Sequence, residues 1–160
     1  PSMRFPYIMQ LGSGTVDFMP GFTYLLKQNK FSASAQVASV IRTFNNSLHY
    51  CLGNELSLNA WIAYKWANWT SISLRMEDNY TSMISGADKQ LLYLMEPSAS
   101  PFNYGGQIVN AYTGLNFYIN KTFLKNSKLS VEYGIPTYQY VNGVQMALKS
   151  MWYIGWMISF

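Results

Sequence analysis

Over residues 146–160, MALKSMWYIGWMISF, apolar character returns at every second position. Leu148, Trp152, Ile154, Trp156, Ile158 and Phe160 share one face with Ser150, and Lys149, Met151, Tyr153, Gly155, Met157 and Ser159 share the other. A period of two is that of a β-strand. A strand with two tryptophans and a terminal phenylalanine in phase must turn that face toward something other than water. Composition limits the choice. Charged residues make up 11% of the chain, less than half the roughly 25% of an ordinary soluble domain. A water-facing surface is assembled mainly from Lys, Glu, Asp and Arg, and too few are present to cover one. Disorder requires the opposite pattern, low hydrophobicity with high charge. No run reaches the roughly 18 apolar residues of a membrane helix. The remaining membrane solution is a closed barrel, whose strands satisfy each other's backbone groups. The sequence therefore predicts an all-β fold, a transmembrane antiparallel up-and-down β-barrel with its aromatic face toward lipid.

The alternation recurs along the chain, and strands are expected at about 16–27, 31–42, 55–66, 70–78, 107–119, 128–140 and 146–160. In 55–66, for example, Leu56, Leu58, Ala60, Ile62, Tyr64 and Trp66 fall outward, and Ser57, Asn59, Trp61, Ala63 and Lys65 inward. Residues 1–15, broken by Pro1, Pro6, Gly12 and Gly14, read as a loop. Pro136 predicts a kink or bulge in the sixth strand, and Asn142-Gly143 a tight hairpin into the last. The connections 28–30 and 67–69 are short, whereas 43–54 and 79–105 are long. Outer-membrane barrels place short turns in the periplasm and long loops outside, which puts 1–15, 43–54 and 79–105 outside. About seven strands result, whereas bacterial single-chain barrels have even numbers. The expectation is one domain over 1–160, the C-terminal part of a longer barrel, unless 5–11 (FPYIMQL) supplies a further strand. No secretory leader is visible, consistent with its removal or with missing upstream chain. A soluble up-and-down barrel also alternates but keeps its apolar face inside. Its solvated face would need far more Lys and Glu than the Ser, Asn, Gly, Tyr and Gln found here.

Charges on the predicted inner face mark the candidate site. Asp17, Arg42, Arg75, Glu77 and Lys149 fall toward the outer half, and Lys27, Lys65 and Glu132 toward the periplasmic half. Such residues either line a pore that selects solutes by charge or pair across the lumen and plug it, as in small barrels. Strand number sets the bore and so decides between them. The net charge of +4 without any Lys/Arg cluster argues against a nucleic-acid partner. Cys51 is the single cysteine, so no internal disulfide forms. His49 and Cys51 alone do not make a metal site, and the nine methionines read as packing filler. The single histidine has no serine at a telling spacing, which argues against a catalytic triad. Gly12-Ser13-Gly14 lacks the Lys-Ser/Thr of a phosphate loop and reads as a turn. No cofactor is expected.

Several segments resemble a known family. Gln10-Leu11-Gly12-Ser13-Gly14-Thr15-Val16-Asp17-Phe18-Met19-Pro20-Gly21 is similar to the QLGSGT-x-D-x-x-PG segment of outer-membrane barrel transporters. That family is related to the one named for the meta-pathway of phenol degradation. Leu52-Gly53-Asn54, the Trp66 and Trp69 pair, Gly114-Leu115-Asn116, Glu132-x-Gly134-x-Pro136-x-x-Gln139 and the Trp152 to Phe160 ending resemble it as well. The resemblance implies an outer-membrane location and passage of small, apolar or aromatic molecules. Its members are longer, which implies a truncated N-terminus here. The functional expectation is a passive channel or transporter for small solutes. The alternative is a structural or assembly-partner barrel with a closed lumen, whose loops bind other envelope proteins. An outer-membrane hydrolase working through His49 is a third class.

Overall fold

The computed structural model describes residues 5–91, 96–119 and 127–158. Ten strands form within them: β1 Asp17–Phe18, β2 Gly21–Gln28, β3 Phe31–Arg42, β4 Tyr50–Cys51, β5 Glu55–Ala67, β6 Thr70–Thr81, β7 Ser85–Gly86, β8 Gly106–Ile119, β9 Ser127–Val141 and β10 Met151–Ile158. All long strands belong to one antiparallel up-and-down sheet in which each pairs with the next long strand in sequence. β1 and β2 both pair with β3 and act as one strand interrupted at Met19-Pro20. Pro20 cannot donate to the ladder, but its carbonyl still accepts from the Ser39 amide at 3.0 Å. The turn between β2 and β3 is two residues long. Asn29 takes φ of 51° there, a left-handed conformation that asparagine tolerates better than most residues.

On the inner strands alternation in the sequence becomes alternation in burial, with the usual sense reversed, whereas the edge strands β2 and β10 are exposed on both faces nearly throughout. Along β5 every apolar outward residue is exposed and every inward residue from Ser57 to Ala67 is half-buried. Trp66 is 68% exposed, Trp152 67% and Ile154 75%, whereas Tyr112, Asn110 and Ser71 on the other face are 3–4% exposed. Among the described residues the sheet has no second layer against its apolar face. The consequence shows in the total surface. A compact soluble domain of 18.3 kDa exposes roughly 8,100 Å² by the usual surface-to-mass scaling; this chain exposes 11632 Å².

The hydrophobic core that does exist lies off the sheet. Loops 5–15, 43–54 and the described parts of 82–105 gather at one end, where β4 and β7 pair. Tyr7, Tyr50, Ile84, Leu91 and Ala99 are buried together there, with Leu48, Leu52 and Tyr104 packed against them. The Tyr7 ring meets Tyr50 and Tyr104 edge-on at 4.7 and 5.7 Å, and its hydroxyl accepts from the Asp88 amide at 3.1 Å.

Three sequence expectations change, and the open alternative of a strand at 5–11 is decided in favour of the loop. The sheet is not closed: among the described residues β2 and β10 remain its two edges. Residues 5–11 supply no strand, because Pro6 leads into a 3-10 turn at Tyr7–Met9 that packs into the loop core. The Asn142-Gly143 hairpin is replaced by an irregular connection running to residue 150. Gly143 has φ of 61°, but Asn142 is turned outward to the loops: its amide donates to the Gly105 carbonyl and its side chain to the Tyr104 carbonyl, each at 3.1 Å. The last strand accordingly begins at Met151 rather than 146, and Ser159 and Phe160 lie outside the described residues. The bulge at Pro136 is present. Asn110 pairs with Pro136 and Val109 with Tyr138, leaving Thr137 unpaired in the ladder; its hydroxyl donates to the Val109 carbonyl at 3.0 Å.

Candidate functional site

The polar face is the candidate site, and register places its side chains in rows across the sheet. One row runs Leu25, Ser34, Trp61, Arg75, Tyr112, Gly134, Met151. Its centre is Arg75 on β6. The guanidinium donates to Glu132 Oε2 on β9, at 2.7 Å from Nη2 and 3.2 Å from Nε, and lies 3.5 Å from Glu77 Oε2. It also sits over the Tyr112 ring, 3.8 Å from its centroid. The Tyr112 hydroxyl donates to Glu77 at 2.7 Å and lies 3.8 Å from the Met151 sulfur on β10. Tyr153 closes the group, its ring 5.9 Å from both Tyr112 and the Arg75 guanidinium.

Two glycines make this belt possible. A Cβ on Gly134 would lie 2.3 Å from the Tyr112 ring, so the ring can cross β9 toward β10 only because that position is bare. A Cβ on Gly114 would meet Glu132 Cγ at 3.0 Å and Ser73 Oγ at 2.5 Å. Glu132 therefore leans over Gly114 to reach Arg75, which is separated from it by the whole of β8. The contacts between strands that are not ladder neighbours show the sheet curling toward its polar face.

A second charged group sits at the loop end. Arg42 bonds Glu55 at 2.8 Å, approaches Asp17 at 3.6 Å and donates to the Gly53 carbonyl. The Thr15 hydroxyl donates to Asp17; that bond, ahead of the Arg42 charge, holds the Asp17 carboxyl below its ordinary range against the opposing effect of burial.

At the opposite end, where the short turns lie, the polar face lines a half-open cavity of about 560 Å³. Lys27 of β2 and Met157 of β10 both line it, so the two edge strands bound a common space although they do not pair. Lys30, Lys65 and Lys128 line it as well, and among the described residues no carboxylate does. A second cavity of about 340 Å³ continues it toward Arg75 and Glu132 along the inner faces of β3, β5, β6, β8 and β9.

The eight charges singled out from the sequence thus fall into separate places. Asp17 and Arg42 join at the loop-end rim, Arg75, Glu77 and Glu132 form the central belt, and Lys27 and Lys65 line the turn-end cavity. Lys149 joins none of them, because it lies exposed in the connection before β10. Sequence reasoning passed over Glu55, Tyr112, Tyr153, Lys30 and Lys128. The signal for Lys128 was its phase with Ser130 and Glu132, and for Tyr112 its place as a large ring among the small residues Asn110, Gly114 and Asn116. Lys30 sits in a turn, where phase gives no guidance. His49 has a left-handed backbone (φ 66°) in the loop region and Cys51 is a free thiol in β4. Among the described residues no three His, Cys, Asp or Glu side chains come together as a metal site. No family model, curated protein or solved structure matches this chain.

Proposed function

We propose that this sheet is the wall of a membrane-spanning β-barrel of the bacterial outer-membrane type, and that its polar face lines an aqueous passage for small solutes. The observation that carries the reading is the reversed burial of the inner strands: on β5, β6 and β8 the apolar face is open and the polar face is the more buried one. Strand length agrees, since β3, β5, β6, β8 and β9 have 12–15 residues and a tilted crossing needs roughly 9–11. Aromatic side chains bracket the open face. Tyr64, Trp66 and Trp69 stand exposed at the turn end and Tyr80, Tyr138 and Tyr140 at the loop end, where interfacial rings belong. Between them stand Leu58, Ile62, Leu74, Met76, Leu115, Ile135 and Ile154. Asp17, Arg42 and Glu55 lie on the loop side of this band.

The protein in this reading is a passive channel without catalytic residues. Purified protein reconstituted into planar bilayers is expected to give steady single-channel currents, and to require detergent or lipid to remain dissolved. A monomer stable in plain buffer would overturn the membrane assignment. The second reading, a closed-lumen barrel acting as a structural partner, draws on the Arg75 belt, which joins β6, β9 and the region of β10 across the enclosed face. Silent bilayers with a folded, lipid-inserted protein would select it.

A further inference from the structure

The charges of the polar face fall into two populations, and only one is neutralised. Arg42 and Arg75 each bond carboxylates. Lys27, Lys30, Lys65 and Lys128 line one cavity whose other lining includes Ser71 and Asn68 but, among the described residues, no Asp or Glu. The Lys128 ammonium makes one cation–π contact, 5.9 Å from the Tyr118 ring centroid and so at the outer limit of such contacts, which leaves its charge unneutralised. A space of that volume is on the order of 10 Å across, no wider than the Debye length at 0.1 M salt, so the four ammonium groups act on its contents together. Gathering like charges around a cavity raises the free energy of the empty site and lowers that of the site holding a polyvalent anion.

We infer that the turn end of the polar face is an anion-binding vestibule, in which Lys27, Lys30, Lys65 and Lys128 hold a small polyvalent oxyanion, such as a phosphate or a di- or tricarboxylate, drawn from solution. Lys27, Lys65 and Lys128 share a face with Ser32, Ala63, Ser71 and Tyr118 rather than with the apolar band, which assigns the site to a dissolved anion and not to a lipid headgroup. The inference rests on the proposal that this face encloses water, but binding can be read without conduction.

Calorimetric titration of the folded protein in zwitterionic detergent with inorganic pyrophosphate tests it. Binding is expected to weaken with added salt, to fall about fourfold for each of Lys65→Gln and Lys128→Gln, and to survive Lys65→Arg and Lys89→Gln, the latter in the exposed loop region. Doping the micelles with phosphatidylglycerol should leave it unchanged; displacement by that lipid would overturn the dissolved-anion assignment. In bilayers under a KCl gradient the reversal potential should report anion preference, moving toward cation preference in the Lys65→Glu/Lys128→Glu protein. Absent or Lys-independent pyrophosphate binding overturns the site. Silent bilayers with intact, lysine-dependent binding uphold the vestibule and overturn only the channel.

Discussion

Replacing Ile62 with lysine separates a lipid-facing wall from a water-facing one by the size of its effect. Ile62 is 46% exposed on β5. Were its surroundings water, an exposed apolar-to-charged change would alter stability by no more than about 0.5 kcal/mol and would improve solubility. Its depth in a membrane follows from register. Leu56, six residues away, lies in the row of Tyr80 and Tyr140, and Trp66, four residues away, belongs to the opposite aromatic group. At about 3.4 Å per residue and a tilt near 40°, those separations project to roughly 15 and 10 Å along the membrane normal. Their sum equals the roughly 25 Å height of an outer-membrane apolar band, with Ile62 near its middle. A lysine at that depth costs about 2–4 kcal/mol. Asn59→Lys supplies the contrast: it is three residues away on the inner face and pairs in register with Glu77, so its effect should stay within about 1 kcal/mol. Urea titrations of folding into lipid vesicles, followed by tryptophan emission, measure both. Equal effects for Ile62→Lys and Asn59→Lys would refute the assignment of the two faces.

Arg75→Met should lower folding stability by about 2–3 kcal/mol in the same titration, less than the 3–5 of a fully buried pair because Arg75, Glu77 and Glu132 side chains remain 19–28% exposed; Arg75→Lys should recover only part, since one ammonium cannot serve both carboxylates and the Tyr112 ring. Gly134→Val should cost about 1–3 kcal/mol through its clash with the Tyr112 ring, and adding Tyr112→Ala should return part of it, a coupling that a double-mutant cycle reads directly. Tyr7→Ala should open the loop region alone. It removes the bond to the Asp88 amide and two ring contacts, so proteolysis within 82–91 should accelerate while the amide protection of β5 and β6 is kept.

Strand positions were legible because alternation is a local property that each strand carries by itself. The β3 expectation of 31–42 matches the structure at both ends, and β5, β8 and β9 deviate by a residue or so. Turn chemistry was legible where one residue decides, as at Pro136 and its bulge. It misled where a distant partner decides. Asn142-Gly143 has hairpin chemistry, yet backbone and side chain of Asn142 are taken up by Gly105 and Tyr104, and no local pattern announces a partner nearly forty residues upstream. The segment 5–11, read as part of a loop with a strand as the open alternative, forms no strand. Its apolar residues suit a strand, but Tyr7 finds a buried place between Tyr50 and Tyr104 that an edge strand would not offer. Closure was not legible at all, because edge pairing of β2 with β10 is a property of curvature summed over every strand between them.

The site was legible by face but not by pairing, and pairing is what gives its charges different roles. Inward phase put Lys65 and Arg75 in one class, although they lie only ten residues apart on neighbouring strands. What separates them is which residues lie across the rows: Arg75 has Glu77 and Tyr112 within reach and Glu132 leaning over Gly114, whereas Lys65 lies where the β5–β6 register shifts and shares its cavity with Ser71. A carboxylate reaches only the cation that a glycine lets it approach. Filling position 114 with a side chain would therefore do more than crowd Ser73. It would push Glu132 off Arg75 and free its negative charge on the face it shares with Lys128, four residues away on β9, which would offset part of the positive charge of the turn-end cavity. The bare position at 114 thus couples the central belt to the vestibule, and Gly114→Ala is the substitution in which loss of stability and loss of anion preference should appear together.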